Sequence, residues 1–71
     1  MTLKDALEGK QYIITSIETD DDDMDSFLLT LGCFAGESIT VISKKRNSLI
    51  VAIKDGRYNI DNQLAAAIAL E

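Results

Sequence analysis

Hydrophobic residues in this chain are grouped into short segments, and polar residues or glycines separate one segment from the next. Five of the segments are rich in β-branched residues or alternate between apolar and polar positions, which predicts strands. They cover residues 12–17, 38–43, 49–53, 57–60 and 68–70. Residues 49–53 are almost entirely apolar, so we expect this strand to be central and covered on much of both faces.

The sharpest local signal is Asp55-Gly56, which lies between the third and fourth predicted strands. This dipeptide favours a type I′ hairpin turn, because both central residues of that turn need a positive φ. In the returning strand, Tyr58 and Ile60 are predicted to face inward.

One helix is predicted after the first strand. Met24, Phe27, Leu28 and Leu31 recur at helical spacing, which predicts an amphipathic helix. Phe27, Leu28 and Leu31 are expected to lie mainly in the core. An aspartate before the helix can cap its free N–H groups, and Gly32 can end it in a left-handed conformation.

Single helical turns are predicted near both ends of the chain. Thr2 and Asp5 have the spacing of a capping box, and Leu3, Ala6 and Leu7 form an apolar face beside them. An Asp-Asn pair after the fourth strand can cap a second turn. Taken together, the elements predict one mainly β domain over residues 1–71. Its five-stranded sheet curls into a small barrel, since a flat sheet would leave its edges open.

Composition and charge narrow the choice of function. The chain has 71 residues, of which 46% are hydrophobic and 27% charged, as in folded globular proteins. A single cysteine excludes an internal disulfide, and no signal peptide or bilayer-length apolar segment is present, so we expect a cytoplasmic location without membrane insertion. The net charge of −5 argues against binding to nucleic acid or to anionic membranes.

Catalytic signatures are missing from the sequence. There is no histidine, which removes the usual general base and the commonest transition-metal ligand. No glycine-rich phosphate loop and no Cys-x-x-Cys spacing occurs. The sequence therefore predicts a binding protein without a cofactor, not an enzyme.

The acidic segment at residues 20–25 has two interpretations. Asp21, Asp23 and Asp25 imitate the start of an EF-hand loop, but Ser26 and Gly32 occupy the positions of its glycine and closing glutamate. A solvated loop that caps the next helix is the favoured interpretation. A metal-sensing domain that binds a divalent cation transiently through these three aspartates is the alternative.

Three further features could carry function. Cys33 is interpreted as a small buried hydrophobe, because it follows a helix end where nothing stabilises a thiolate. The basic residues at positions 44–46 are interpreted as a soluble hairpin tip. Leu29 lies off the apolar stripe, and if it forms one patch with Phe34, that patch is the best candidate for a docking surface.

Residues 27–37, Phe-Leu-Leu-Thr-Leu-Gly-Cys-Phe-Ala-Gly-Glu, resemble the helix and turn of the ferrous iron transport protein A (FeoA) family. Members of that family carry a Leu-x-x-Leu-Gly-aliphatic-x-x-Gly pattern, usually with proline before the last glycine. The later apolar segments follow in the family's order, and Leu3, Leu7 and Gly9 match its opening in character, with altered spacing. The resemblance spans almost the whole chain.

This resemblance implies an SH3-like barrel and a cytoplasmic accessory role in bacterial ferrous iron uptake. It also implies contact with the membrane transporter that carries a GTP-binding domain. We therefore predict that the chain docks on that part of the transporter and modulates it. The predicted contacts lie on the helix and the following turn: Leu28, Leu29, Leu31, Gly32 and Phe34.

The chain departs from the family pattern at several positions. The family's helix usually begins with arginine, where this chain has Asp25 and Ser26, and Asp61 and Ala35 replace a further arginine and the proline. The apolar pattern of the fold is unaffected, but basic residues that would contact an acidic partner or a nucleotide phosphate are lost. The resemblance leaves the oligomeric state open. Small barrels can associate through open strand edges, for which Ile50 and Leu70 are the candidates.

Overall fold

The five apolar segments form five strands in a computed structural model that describes all 71 residues. Each strand agrees with its predicted range to within one residue at either end. The elements in chain order are a 3-10 turn (Leu3–Asp5), β1 (Gln11–Ile17), α1 (Asp22–Leu31), β2 (Ser38–Lys44), β3 (Ser48–Ile53), β4 (Gly56–Asp61), α2 (Asn62–Ala65) and β5 (Ile68–Leu70). Neither α1 nor α2 has the length and apolar character that a membrane crossing requires.

All five strands belong to one antiparallel sheet in the order β4-β3-β2-β1-β5. The first half of β1 pairs with β2, whereas Ile14 and the residues after it pair with β5. A register shift follows Ile14, and a second lies between Val41 and Ser43 of β2. Such irregularities bend strands, and together with the change of partner along β1 they curve the sheet around its core. The predicted mainly β fold is confirmed.

One contiguous core fills the inside of the curved sheet. It consists of fourteen buried side chains: Leu3, Ala6, Ile14, Leu28, Cys33, Ile39, Val41, Leu49, Val51, Ile53, Ile60, Ala65, Ile68 and Leu70. β3 is central, as predicted, because β2 and β4 flank it. Its second face is less covered than predicted: Ile50 and Ala52 are only half-buried, so β3 alternates like a strand with one core face.

Neither Ile50 nor Leu70 lies on an open strand edge, which corrects the prediction. Ile50 lies within the central strand β3. Leu70 is 5% exposed, and its N–H donates to the Met1 carbonyl at 2.8 Å. Thr2 pairs with Ala69 beside it, so the first two residues cover the outer edge of β5.

The predicted capping pair at the N-terminus is confirmed. The Thr2 N–H donates to the Asp5 carboxylate at 3.2 Å, and Leu3 and Ala6 are fully buried. Leu7 was expected on the same face, but its side chain is 56% exposed. The helical turn ends at Asp5 and the backbone is extended at Ala6, so the helical spacing no longer applies to Leu7.

The β3–β4 hairpin differs from its prediction by one residue. Ile53 pairs with Gly56, so the two-residue turn consists of Lys54 and Asp55. Only Lys54 among these has a positive φ, of 52°, so the predicted type I′ turn centred on Asp55 and Gly56 is wrong. Gly56 is instead the first residue of β4, where the absence of a side chain leaves room for Tyr58. A Cβ at Gly56 would clash with the Tyr58 side chain, because the Tyr58 ring lies over this glycine.

α1 contacts the core along a narrower line than its spacing predicts. Leu28 is fully buried and Met24 and Leu31 are half-buried, but Phe27 is 53% exposed. Phe27 lies about 100° from Leu28 around the helix, which places it on the flank. The prediction that Phe27 belongs to the core is therefore wrong.

Leu28→Ala should lower the free energy of unfolding by about 2–4 kcal/mol, because it leaves a cavity at the only fully buried residue of α1. Phe27→Ala is the matched control on the next residue, where partial exposure should limit the loss to about 0.5 kcal/mol. Urea unfolding followed by circular dichroism measures both values. Equal losses in the two variants would contradict this account of the helix.

Cys33 occupies the core as a small apolar residue, as predicted, with 1% of its surface exposed. Burial raises the pKa of its thiol from 9.0 to about 11, since the thiolate cannot be solvated there. The unfolded chain therefore loses this proton at lower pH than the folded chain does.

The Cys33 thiol should destabilise the folded chain in alkali. Below about pH 9 the thiol is protonated in both the folded and the unfolded chain, so it does not affect the free energy of unfolding. Between about pH 9 and pH 11 the folded chain binds more protons than the unfolded chain. The free energy of unfolding therefore falls by about 2 kcal/mol over this range. Unfolding of the wild type and of Cys33→Ala should be compared across this range. The alanine variant should lose less stability on going from pH 8 to pH 11; parallel pH profiles would contradict the prediction.

Candidate functional site

The start of α1 is fixed by the acidic segment before it. The Asp21 carboxylate accepts hydrogen bonds from the N–H groups of Asp23 at 2.9 Å and Met24 at 3.3 Å. This confirms the predicted aspartate cap, and the negative charge also suits the positive end of the helix dipole.

The end of α1 is tied back to the barrel through backbone hydrogen bonds. Gly32 ends the helix with a φ of 89°, as predicted, and the Cys33 N–H donates to the Leu28 carbonyl at 2.9 Å. The chain then returns to β1, where the Gly36 N–H donates to the Ile14 carbonyl at 2.8 Å. The segment after α1 therefore has a defined position on the sheet.

Between α1, this return segment and β1 lies a shallow groove of about 270 Å³, which we call the α1 groove. Five of its six lining residues are hydrophobic. The lining consists of Ile17, Asp25, Leu29, Cys33, Phe34 and Ala35. Leu29 is the most exposed large hydrophobic residue of the chain, at 61%, and Phe34 is half-buried. The groove is an apolar surface with one carboxylate on its rim.

Only two of the five predicted contact residues line this groove, namely Leu29 and Phe34. Leu31 is half-buried outside it, and Gly32 is buried. Leu28 has no exposed surface, so its side chain cannot contact a partner, and including it among the contacts was wrong. The pattern of the sequence did not separate the buried residue of this helix from its exposed ones.

Sequence analysis missed Lys54, which reaches the groove region from the β3–β4 turn. Its Nζ lies 5.5 Å from the centre of the Phe34 ring and 3.3 Å from Glu37 Oε1. Its aliphatic part covers Gly32, where an added Cβ would lie 2.9 Å from Lys54 Cδ. Lys54 thus holds Phe34 from one side by a cation–π contact. Nothing in the linear sequence signals a contact between residues so far apart.

The three aspartates of the EF-hand-like pattern do not converge. Asp21 caps α1, Asp25 accepts a hydrogen bond from the Thr19 hydroxyl, and Asp23 is exposed. No group of three or more acidic, histidine or cysteine side chains in the chain is arranged to hold a metal ion. A larger cleft of about 420 Å³ lies nearby. It is lined by Glu18, Thr19, Asp20, Asp21, Met24, Asp61, Gln63, Leu64 and Ala67, none of which is basic.

The basic residues form the predicted hairpin tip. The backbone N–H of Lys44 donates to the Glu8 carboxylate at 2.8 Å, and its Nζ donates to the Lys4 carbonyl at 3.1 Å. Lys45 and Arg46 are exposed at the turn. Glu8 partly offsets this positive charge, so the tip is not a strong anion site.

Several solved structures have the same architecture over nearly the whole length of this chain. The solution structure of FeoA from Chlorobium tepidum has a TM-score of 0.91 at 18% identity, over 100% of this chain and 69% of that one. The zinc complex of FeoA from Stenotrophomonas maltophilia, described as a procaryotic SH3 domain protein, has a TM-score of 0.88 at 20% identity, over 100% of this chain and 89% of that one. A manganese-dependent transcriptional repressor has a TM-score of 0.86 at 18% identity, over 96% of this chain but only 39% of its own.

These likenesses establish an SH3-like fold, as the sequence predicted. Comparison with curated proteins found no match. The family model of the FeoA domain matches residues 1–71, and so takes in every strand and both helices of the fold. On that match, this chain belongs to the FeoA family.

Proposed function

We propose that this chain is a cytoplasmic accessory protein of ferrous iron uptake, which docks on the GTP-binding part of a membrane ferrous iron transporter and modulates it. Membership of the FeoA family supports the iron-uptake role. Two structurally similar proteins are named an iron uptake regulatory protein and a suggested ferrous iron transport activating factor. The proposal assigns no catalytic step to this chain.

The observation that carries the proposal is the exposed apolar lining of the α1 groove. Covering a leucine side chain completely is worth about 1.5–3 kcal/mol, and Leu29 still has 61% of its surface to lose. Phe34 lies beside it with its ring held by Lys54, so an aromatic contact is already oriented. A small partner surface that fills this groove would gain affinity from few residues, as interfaces usually do.

The rim of the groove adds a preference for charge. Asp25 lies on the rim, and its carboxylate has only the Thr19 hydroxyl as a hydrogen-bond partner. Lys54 is paired with Glu37. The surface therefore favours a partner that presents an apolar side chain next to a cationic one, since opposite charges across an interface guide the encounter.

Two of the other predicted contact residues position the groove in this proposal and do not touch the partner. Leu28 anchors the helix from below, and Gly32 turns the chain so that Phe34 reaches the groove. Leu31 is half-buried outside the groove and is expected to contribute little. Binding energy should be concentrated in Leu29 and Phe34.

Leu29→Glu should weaken binding to the purified GTP-binding part of the transporter at least about tenfold, because it places a charge in an apolar contact. Phe27→Glu is the matched control: it changes a residue of similar exposure on the opposite flank of the same helix, and should change affinity by less than about twofold. Calorimetric titration measures the affinities, and the rate of GTP hydrolysis reports modulation.

Both variants should fold like the wild type, because neither side chain is buried. The proposed docking is overturned if the wild type shows no binding at micromolar concentrations. Equal weakening by both variants would place the contact somewhere other than the α1 groove.

A further inference from the structure

β4 is an end strand of the sheet, and one of its sides is open. It pairs with β3 alone, through a register in which Ile53 lies opposite Gly56 next to the two-residue turn. In such a hairpin, hydrogen-bonded pairs alternate with unbonded ones, so Gly56, Tyr58 and Ile60 bond to β3. The backbone N–H and C=O groups of Arg57 and Asn59 and the N–H of Asp61 therefore point away from β3. The Asp61 carbonyl does not, because Asp61 is the N-cap of α2 and its carbonyl accepts the first hydrogen bond of that helix.

A second observation supports this alternation. Ser48 pairs with Asp61, and the Ser48 carbonyl accepts a hydrogen bond from the Lys45 N–H at 2.8 Å on the β2 side. The outward N–H groups of β4 take part in none of the hydrogen bonds made outside the strand ladders. The other end strand, β5, differs because Met1 and Thr2 cover its outer edge. The free edge of the sheet is thus the outer edge of β4.

We propose that this edge binds a second copy of the chain, with the two β4 strands antiparallel about a two-fold axis at Asn59. The two sheets then join into one continuous sheet. In this register Asn59 lies opposite Asn59 of the second copy, and Arg57 lies opposite Asp61 of the second copy, twice by symmetry. The outward groups of Asn59 make the central hydrogen-bonded pair, and on each side the Asp61 N–H donates to the Arg57 carbonyl of the other copy.

Among the three registers that are centred on an outward-facing residue of β4, the charges favour this one. An antiparallel pairing centred on Arg57 would place two cations opposite each other, and one centred on Asp61 would place two carboxylates opposite each other. Centring on Asn59 instead matches a cation with a carboxylate on both sides, which stabilises a cross-strand pair. Asp61 is available for this contact, because only its Oδ1 accepts the Leu64 N–H, at 2.7 Å.

The local charge also suits self-association. Two cations and two anions lie between residues 54 and 61, so the edge is neutral although the chain carries −5. Asp20 and Asp21 share a cleft with Asp61, so they add negative charge at the end of the strand to which the second copy brings Arg57.

Sedimentation equilibrium of the full chain, up to about 1 mM, tests the proposal, because a single strand pair gives weak association. Arg57→Asp should raise the dissociation constant at least about tenfold, since it sets like charges opposite each other. Asn59→Pro should do the same by removing an outward N–H, and it leaves the bonds to β3 in place. Arg46→Asp makes the same charge change in the β2–β3 turn and should have no effect.

Hydrogen exchange provides an independent readout. The Asn59 amide should become protected as concentration rises, in the wild type and in Leu29→Glu alike, so this contact is distinguished from the α1 groove. A wild type that stays monomeric with a freely exchanging Asn59 amide overturns the proposal and leaves the edge for a strand of another protein. Association that survives both Arg57→Asp and Asn59→Pro overturns it too.

Discussion

Ile14 is the residue on which the rest of the structure depends. Its side chain is in the core, and it is the point where β1 stops pairing with β2 and begins to pair with β5. Its N–H donates to the Glu37 carbonyl and its carbonyl accepts from Gly36, so the segment that follows α1 is fastened to the same residue. One position thus joins the curvature of the sheet to the location of the α1 groove.

Much of the fold could be predicted because its signals are local. Asp21 and Asp61 cap helices through their own carboxylates, and Gly32 ends α1 with a left-handed backbone, all within a few residues of the sequence. Segments rich in β-branched residues, or alternating between apolar and polar residues, likewise located each strand to within one residue. These features are determined by residues that are close in sequence and do not depend on tertiary contacts.

The errors arise where distant residues decide the outcome. Phe27 and Leu28 fit a helical stripe equally well, but only Leu28 meets the barrel, and the width of that contact is not encoded in the spacing. Gly56 signals a turn in the sequence, yet it is required because the Tyr58 ring lies over it. The groove itself combines β1, α1 and the return segment, and the contact of Lys54 with Phe34 depends on the hairpin register.

The first and last residues of the chain lie side by side, because the Met1 carbonyl bonds to the Leu70 N–H and Thr2 pairs with Ala69. A polypeptide attached at either end would therefore leave the barrel at the same corner. Closely spaced termini make a domain easy to insert into, or append to, a longer protein without disturbing its interior. The similar repressor is an example of a longer protein of this kind, because the matched region makes up only 39% of its chain.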